Sequence, residues 1–163
     1  MKRNASNSQD IKTFNRILIR NIIRKLGPIA RYELAKETGL TPPTVTVIIN
    51  ELLEEGIVVE VGYGESSGGR RPVMLELNSK AAYIFAVRLQ RGEVVTAIFD
   101  IGGNVLNHHK RALDTSVAEE VVEAIGSSYD WLIENTGINK ENVLSCGLAS
   151  PGLINIHRGL INP

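Results

Sequence analysis

Residues 27–56 read GPIARYELAKETGLTPPTVTVIINELLEEG, and their punctuation decides how the first half of the chain folds. Gly27-Pro28 closes the helix before it, because glycine suits the position just past a helix and proline cannot continue one. Arg31–Thr38 forms a short helix with Leu34 and Ala35 inward, and Gly39 supplies a tight turn. Thr41 caps a third helix. Pro42 fits its first position, where no amide donor is needed, and Pro43 is tolerated at the second for the same reason. Val45, Ile48, Ile49 and Leu52 recur at helical spacing and form its buried stripe, and Gly56 ends it. Two helices about a glycine turn, the second exposed along one face, make a helix-turn-helix.

Working outward, a helix precedes this segment from Thr13, with Phe14, Ile17, Leu18, Ile22 and Leu26 on one face. Residues 1–10 are polar and read as a flexible start. Downstream, Ile57–Val61 and Val73–Leu77 are β-rich and are joined by the Gly- and Ser-rich stretch GYGESSGGRRP, which predicts two strands with a polar tip, a wing. The domain so defined covers 11–78, and Asn78–Ala81 reads as a linker. Tyr83–Leu89 and Glu93–Asp100 then predict a hairpin turning at Gln90-Arg91-Gly92. Val105–Leu113 is a third strand, a long helix capped by Thr115 or Ser116 runs to about Asn135, and Val143–Ala149 is a short strand. The second domain, 79–163, therefore runs β-β-β-α-β, and the fold class is α+β.

The major groove of B-DNA admits one α-helix, with the preceding helix braced across the backbone. Given the inward stripe, Pro43, Thr44, Thr46, Val47 and Asn50 face outward beside the capping Thr41. Threonine hydroxyls can bond phosphates or base edges, their methyls can touch thymine, and Asn50 can pair with adenine. Arg31, at the start of the second helix, suits a phosphate contact. The third helix holds no Lys or Arg, so neutralisation falls to Arg16, Arg20, Arg24, Lys36 and the wing. Arg70 and Arg71 beside Gly69 suit a narrow minor groove best. The lack of cations on the third helix leaves a winged helix used for protein contacts as an open alternative.

Composition sets the frame for double-stranded DNA as partner. Net charge is zero, but residues 1–80 hold 12 Lys+Arg against 9 Asp+Glu, and residues 81–163 hold 6 against 9. A basic front on an acidic back is compatible with a polyanion partner. No apolar run is long enough to span a membrane and no signal peptide leads the chain, which points to a cytoplasmic protein. The single Cys146 rules out an internal disulfide. His108 and His109 are strand neighbours that point to opposite faces, which argues against a shared metal site and for exposure to solvent. Cys146 reads as a small buried strand residue, Trp131 as core, and Asp100 as a turn former.

Phe14-Asn-Arg16, Gly27-Pro-Ile29, Glu33-Leu-Ala35, Thr38-Gly-Leu40, Thr44-Val45, Glu51-Leu-Leu-Glu-Glu-Gly56 and Ser66-Ser-Gly-Gly-Arg-Arg-Pro-Val73 occur in an order that resembles the ROK family of repressors and sugar kinases. The resemblance extends from about residue 11 to the end, and the wing is its most specific part. It implies that 79–163 is the N-terminal half of an actin-like, ribonuclease-H-like sugar-kinase domain. The anchors there are Asp100, Gly103 and Gly147-Leu-Ala-Ser-Pro-Gly152 followed by Gly159-Leu-Ile-Asn-Pro163. It also implies a homodimer acting as a repressor of sugar-utilisation genes, relieved by a sugar effector in the full-length form. The catalytic aspartate, the sugar-binding motif and a structural zinc site of such proteins would lie in a C-terminal half absent from these residues, so no cofactor, metal or catalytic residue is expected here. Kinases of the family carry Asp-x-Gly-x-Thr in the first hairpin. The corresponding stretch here is Arg88-Leu-Gln90-Arg-Gly92, which replaces the carboxylate that metal-nucleotide binding needs and disfavours the alternative of a sugar kinase with a DNA-binding module. Ala30 stands where the family caps the second helix with Ser, a loss of about 0.5–2 kcal/mol.

Overall fold

A computed structural model describes residues 4–65, 68, 70–151, 153–155 and 160–162. The chain divides into two compact units, Met1–Asn78 and Ser79–Pro163. Among the described residues no helix is long and apolar enough to cross a membrane.

The first unit holds helices α1 (Asn4–Leu26), α2 (Arg31–Thr38) and α3 (Pro42–Glu54), and strands β1 (Ile29–Ala30), β2 (Val58–Tyr63) and β3 (Val73–Leu77). The strands form an antiparallel sheet in the order β1-β3-β2. Its core gathers Ile19 and Ile23 from α1, Leu34 from α2, Val45, Ile48, Ile49 and Leu52 from α3, and Ile29, Val58 and Leu75 from the sheet. The stripe expected on α3 is buried throughout. The face expected on α1 is corrected. Phe14, Ile17 and Leu26 are exposed, and Ile19 and Ile23 are the buried pair. Apolar residues at 17, 18, 19, 22 and 23 satisfy two helical phases, and only packing selects one. Residues 4–10 carry helical backbone, so α1 starts well before the apolar pattern does.

Strand β1 was not visible in the sequence, being two residues long. It pairs Ile29 with Leu75 and Ala30 with Met74. This explains how α2 tolerates Ala30 at its N-cap: the carboxylate of Glu33 accepts the Ala30 amide at 2.9 Å, and the backbone is held by the sheet.

The second unit holds β4 (Tyr83–Gln90), β5 (Glu93–Asp100), β6 (Val105–Ala112), α4 (Ala118–Thr136), β7 (Val143–Ala149) and the pair β8 (Leu153–Asn155) and β9 (Leu160–Asn162). The main sheet runs β6-β5-β4-β7, with β7 parallel to β4. A helical crossover is what parallel neighbours require, and α4 provides it. Phe85, Val87, Val94 and Ile98 pack under Val121 and Leu132, and Phe85 meets Tyr129 edge-on at 5.1 Å. The expected cap of α4 is corrected to Val117, without a side-chain bond. Ser116 instead bonds Asp114, and Thr115 accepts the Gly92 amide.

Three side chains depart from expectation. His109 is half-buried, stacked on Trp131 at 4.6 Å with Nδ1 3.1 Å from Ser128 Oγ, while His108 is exposed. Trp131 is accordingly a lid on His109 and not a fully buried core residue. Cys146 is exposed because β7 is a sheet edge, with Leu144 and Leu148 also open. Asp100 is buried and accepts both the amide and the side chain of Asn104, as turn chemistry requires.

The rotation of α3 is testable through stability. Leu52→Ala empties a fully buried site and is expected to cost about 2–5 kcal/mol, whereas Val47→Ala on the exposed face costs about 0.5 kcal/mol or less. Urea denaturation of both variants checks this, and comparable losses would place Val47 in the core.

Candidate nucleic-acid interface

The turn between α2 and α3 is built around Gly39, whose φ of 70° lies in the left-handed region. Its amide closes on the Ala35 carbonyl at 3.0 Å, and Thr38 Oγ1 donates to the Leu34 carbonyl while accepting the Leu40 amide. Thr41 then caps α3 by accepting the Thr44 amide at 3.4 Å, and the two threonine hydroxyls lie 2.9 Å apart. Pro42 and Pro43 have no amide hydrogens, and that of Thr44 is taken. The N-terminus of α3 therefore offers phosphate no amide from its first three residues, although helix N-termini commonly do.

The outward face of α3 is uncharged. Thr41, Pro43, Thr46, Val47 and Asn50 are exposed, and Thr44 is half-buried by its part in the cap. The Thr46 hydroxyl donates to the Pro42 carbonyl at 2.9 Å, so what it presents outward is a methyl and oxygen lone pairs. With Val47 beside it, this face presents methyl groups and hydrogen-bond acceptors, the groups that suit thymine methyls and base amino groups. Arg31 stands at the start of α2, partly exposed, with Nη2 3.2 Å from Glu60 of β2. The wing is closed at its base by the Gly64 amide on the Pro72 carbonyl at 2.9 Å, and Arg70 and Arg71 are exposed. A bulge at Val61 and a φ of 125° at Gly62 bend β2 as it enters the wing. Gly69, expected to join this set, lies outside the described residues.

Arg16 is removed from the list of phosphate contacts. It bonds Glu51 at 2.9 Å and Glu55 at 2.6 Å, and Lys12 bonds Glu51 at 2.7 Å. These pairs fasten α1 to the acidic C-terminal half of α3. Among the described residues no ion pair involves Arg20, Arg24, Lys36, Arg70 or Arg71, all of them exposed.

Two features escaped sequence reasoning. Tyr32, beside Arg31, is exposed. An open groove of about 480 Å³ runs between α1 and α3, lined by Ile11, Lys12, Asn15, Pro43, Thr44 and Val47 among others. Starting α1 at Thr13 hid the groove, since Ile11 lies on the part of the helix that the apolar pattern does not reach. Among the described residues no group of three His, Cys, Asp or Glu side chains could hold a metal.

Residues 16–59 match the winged helix-turn-helix DNA-binding family. The xylose repressor of Bacillus subtilis is 32% identical over 144 residues, which are 88% of this chain and 38% of that protein. The DNA-binding transcriptional dual regulator NagC of Escherichia coli is 26% identical over 152 residues, covering 93% and 37%. The crystal structure of a ROK family transcriptional regulator, a homologue of the Escherichia coli MLC protein, superimposes on 93% of this chain with a TM-score of 0.69 and 28% identity. Over most of its length the chain is similar to these ROK family regulators. It spans about two fifths of the length of these relatives.

The α1–α3 ion pairs give this chain a pH signature. Hydrogen bonds from Lys12, and then from Arg16, hold the Glu51 carboxyl below its ordinary pKa. A carboxylate depressed in the folded state contributes stability above its unfolded pKa and loses it as pH falls through the folded value. The melting temperature of Glu51→Gln is therefore expected to lie below that of the wild type at pH 7, with the gap closing as pH falls below the ordinary glutamate range. A gap that persists at pH 2 would contradict this.

Proposed function

We propose that the protein is a sequence-specific transcriptional regulator, a repressor of sugar-utilisation genes that binds a double-stranded operator as a homodimer and is released by a sugar effector in its full-length form. The observation that carries the DNA-binding part is the division of the interface: an uncharged, outward-facing α3 flanked by arginines at the start of α2 and in the wing. A base-reading surface without charge, with phosphate contacts at its margins, suits a protein whose affinity comes from the backbone and whose specificity comes from base edges. The name of the xylose repressor supports repression and a sugar signal, and that of NagC, a dual regulator, supports transcriptional control. Such a protein works in the cytoplasm, where bacterial DNA is.

The kinase reading is disfavoured by the β4–β5 hairpin. Arg88 is exposed there and Gln90 pairs with Glu93 at the turn, so the hairpin sets a cation where a metal-bound nucleotide needs a carboxylate. The protein is therefore proposed as a regulator and not an enzyme.

Selection from random duplexes, followed by fluorescence anisotropy on the selected site, tests the proposal. Each phosphate contact contributes about 0.9 to the slope of log K against log salt. Arg70→Ala combined with Arg71→Ala is expected to weaken binding and flatten that slope by up to about 1.8. An unchanged slope would remove the wing from the interface, and failure to enrich any sequence would remove sequence-specific binding.

A further inference from the structure

We propose that Glu60 is a built-in competitor for the DNA phosphate that Arg31 contacts, so that binding exchanges an internal carboxylate for an external phosphate. The inference rests on the DNA-binding reading above and adds a residue that sets its affinity.

The geometry separates two kinds of cation near the helix-turn-helix. Arg16 makes contacts of 2.6–2.9 Å to two carboxylates, and its side chain is 24% exposed. It is a strut, and releasing it would leave Glu55 unpaired and Glu51 held by Lys12 alone. Among the described residues Arg31 makes one ion-pair contact, to one oxygen of Glu60, at 3.2 Å. Glu60 is 48% exposed on β2, an outer strand of its sheet. Glu33, the acid nearest to Arg31 in sequence, bonds the Ala30 amide with one of its oxygens. A single long contact to an exposed partner is weak and is exchanged readily for a phosphate.

Register places the pair where this matters. Leu75 of β3 lies opposite Ile29 on one side and Glu60 on the other, so β3 carries Glu60 across from the strand that leads into α2. Arg31 begins the helix that braces a helix-turn-helix on the backbone. The carboxylate of Glu60 thus occupies a position from which a phosphate oxygen would meet the same guanidinium.

The exchange has a distinctive salt signature. When Arg31 moves to a phosphate, the duplex releases about 0.9 of a condensed cation. Glu60 is then left bare beside a polyanion, and its repulsion, which salt screens, opposes binding. Removing the charge of Glu60 removes that repulsion. In Glu60→Gln binding is therefore expected to be about two- to tenfold tighter at low salt, with the advantage shrinking as salt rises, so that the slope of log K against log salt steepens.

The test uses the full chain, a duplex selected by the wild type, and four proteins: wild type, Glu60→Gln, Arg31→Ala and the double variant. Arg31→Ala is expected to weaken binding, and Glu60→Gln to tighten it only when Arg31 is present. The same gain in both backgrounds would mean that Glu60 acts through its general field, and would overturn the proposal. So would weaker binding by Glu60→Gln, which would make Glu60 a support for Arg31. If Arg31→Ala changes neither affinity nor slope, the exchange is refuted while the DNA-binding reading still stands on Arg70 and Arg71. Failure of the wild type to select any duplex refutes both.

Discussion

Burial of Val45, Ile48, Ile49 and Leu52 against Ile19, Ile23, Leu34 and Leu75 fixes the rotation of α3 about its own axis. A helix has one face to spend on a core, and the remaining face follows from that choice. Because these four residues are nearly inaccessible, Thr46, Val47 and Asn50 must face out. The left-handed turn at Gly39 and the cap at Thr41 set where this face begins. Short β1 adds a second constraint by tying the start of α2 to β3, and with it the position of Arg31 relative to the wing strands.

Charge is distributed around that face and not on it. The N-terminal half of α3 is neutral, and its C-terminal half is acidic and held by Lys12 and Arg16 from α1. DNA can approach only the neutral half without meeting Glu51, Glu54 and Glu55. With two prolines and a capped threonine at the helix start, the backbone amides contribute little, so attraction falls to guanidinium groups. Arg31 is restrained by Glu60, while Arg70 and Arg71 project from the wing. In the proposed interface, apolar and hydrogen-bonding groups on α3 discriminate between sequences while guanidinium groups at its margins supply the attraction.

Much of this was legible in the sequence because punctuation and periodicity agreed there. Gly39, Thr41, Pro42 and Gly56 bracket the helices, and the stripe of α3 admits one phase. Where the two signals did not agree, the sequence misled. The run from Ile17 to Ile23 is apolar in two helical phases, and of the expected face Phe14, Ile17, Leu18, Ile22 and Leu26 only Ile22 packs on the core, beside the buried Ile19 and Ile23. Pairing between distant residues was not readable at all. The struts from Arg16 to Glu51 and Glu55, the Arg31–Glu60 contact and the stacking of His109 on Trp131 depend on tertiary juxtaposition. Exposure of Cys146 depends on β7 being an edge, which local composition does not encode.

The central claim is that base reading here carries no charge, with electrostatic attraction coming wholly from outside α3. The most direct measurement is the salt dependence of specificity, the ratio of affinities for a selected duplex and a scrambled one from low to physiological salt. Parallel slopes for the two duplexes, and hence a constant ratio, are expected, because each phosphate contact contributes its own increment regardless of sequence. A ratio that falls steeply with salt would show that charged groups read the sequence, and would contradict the account.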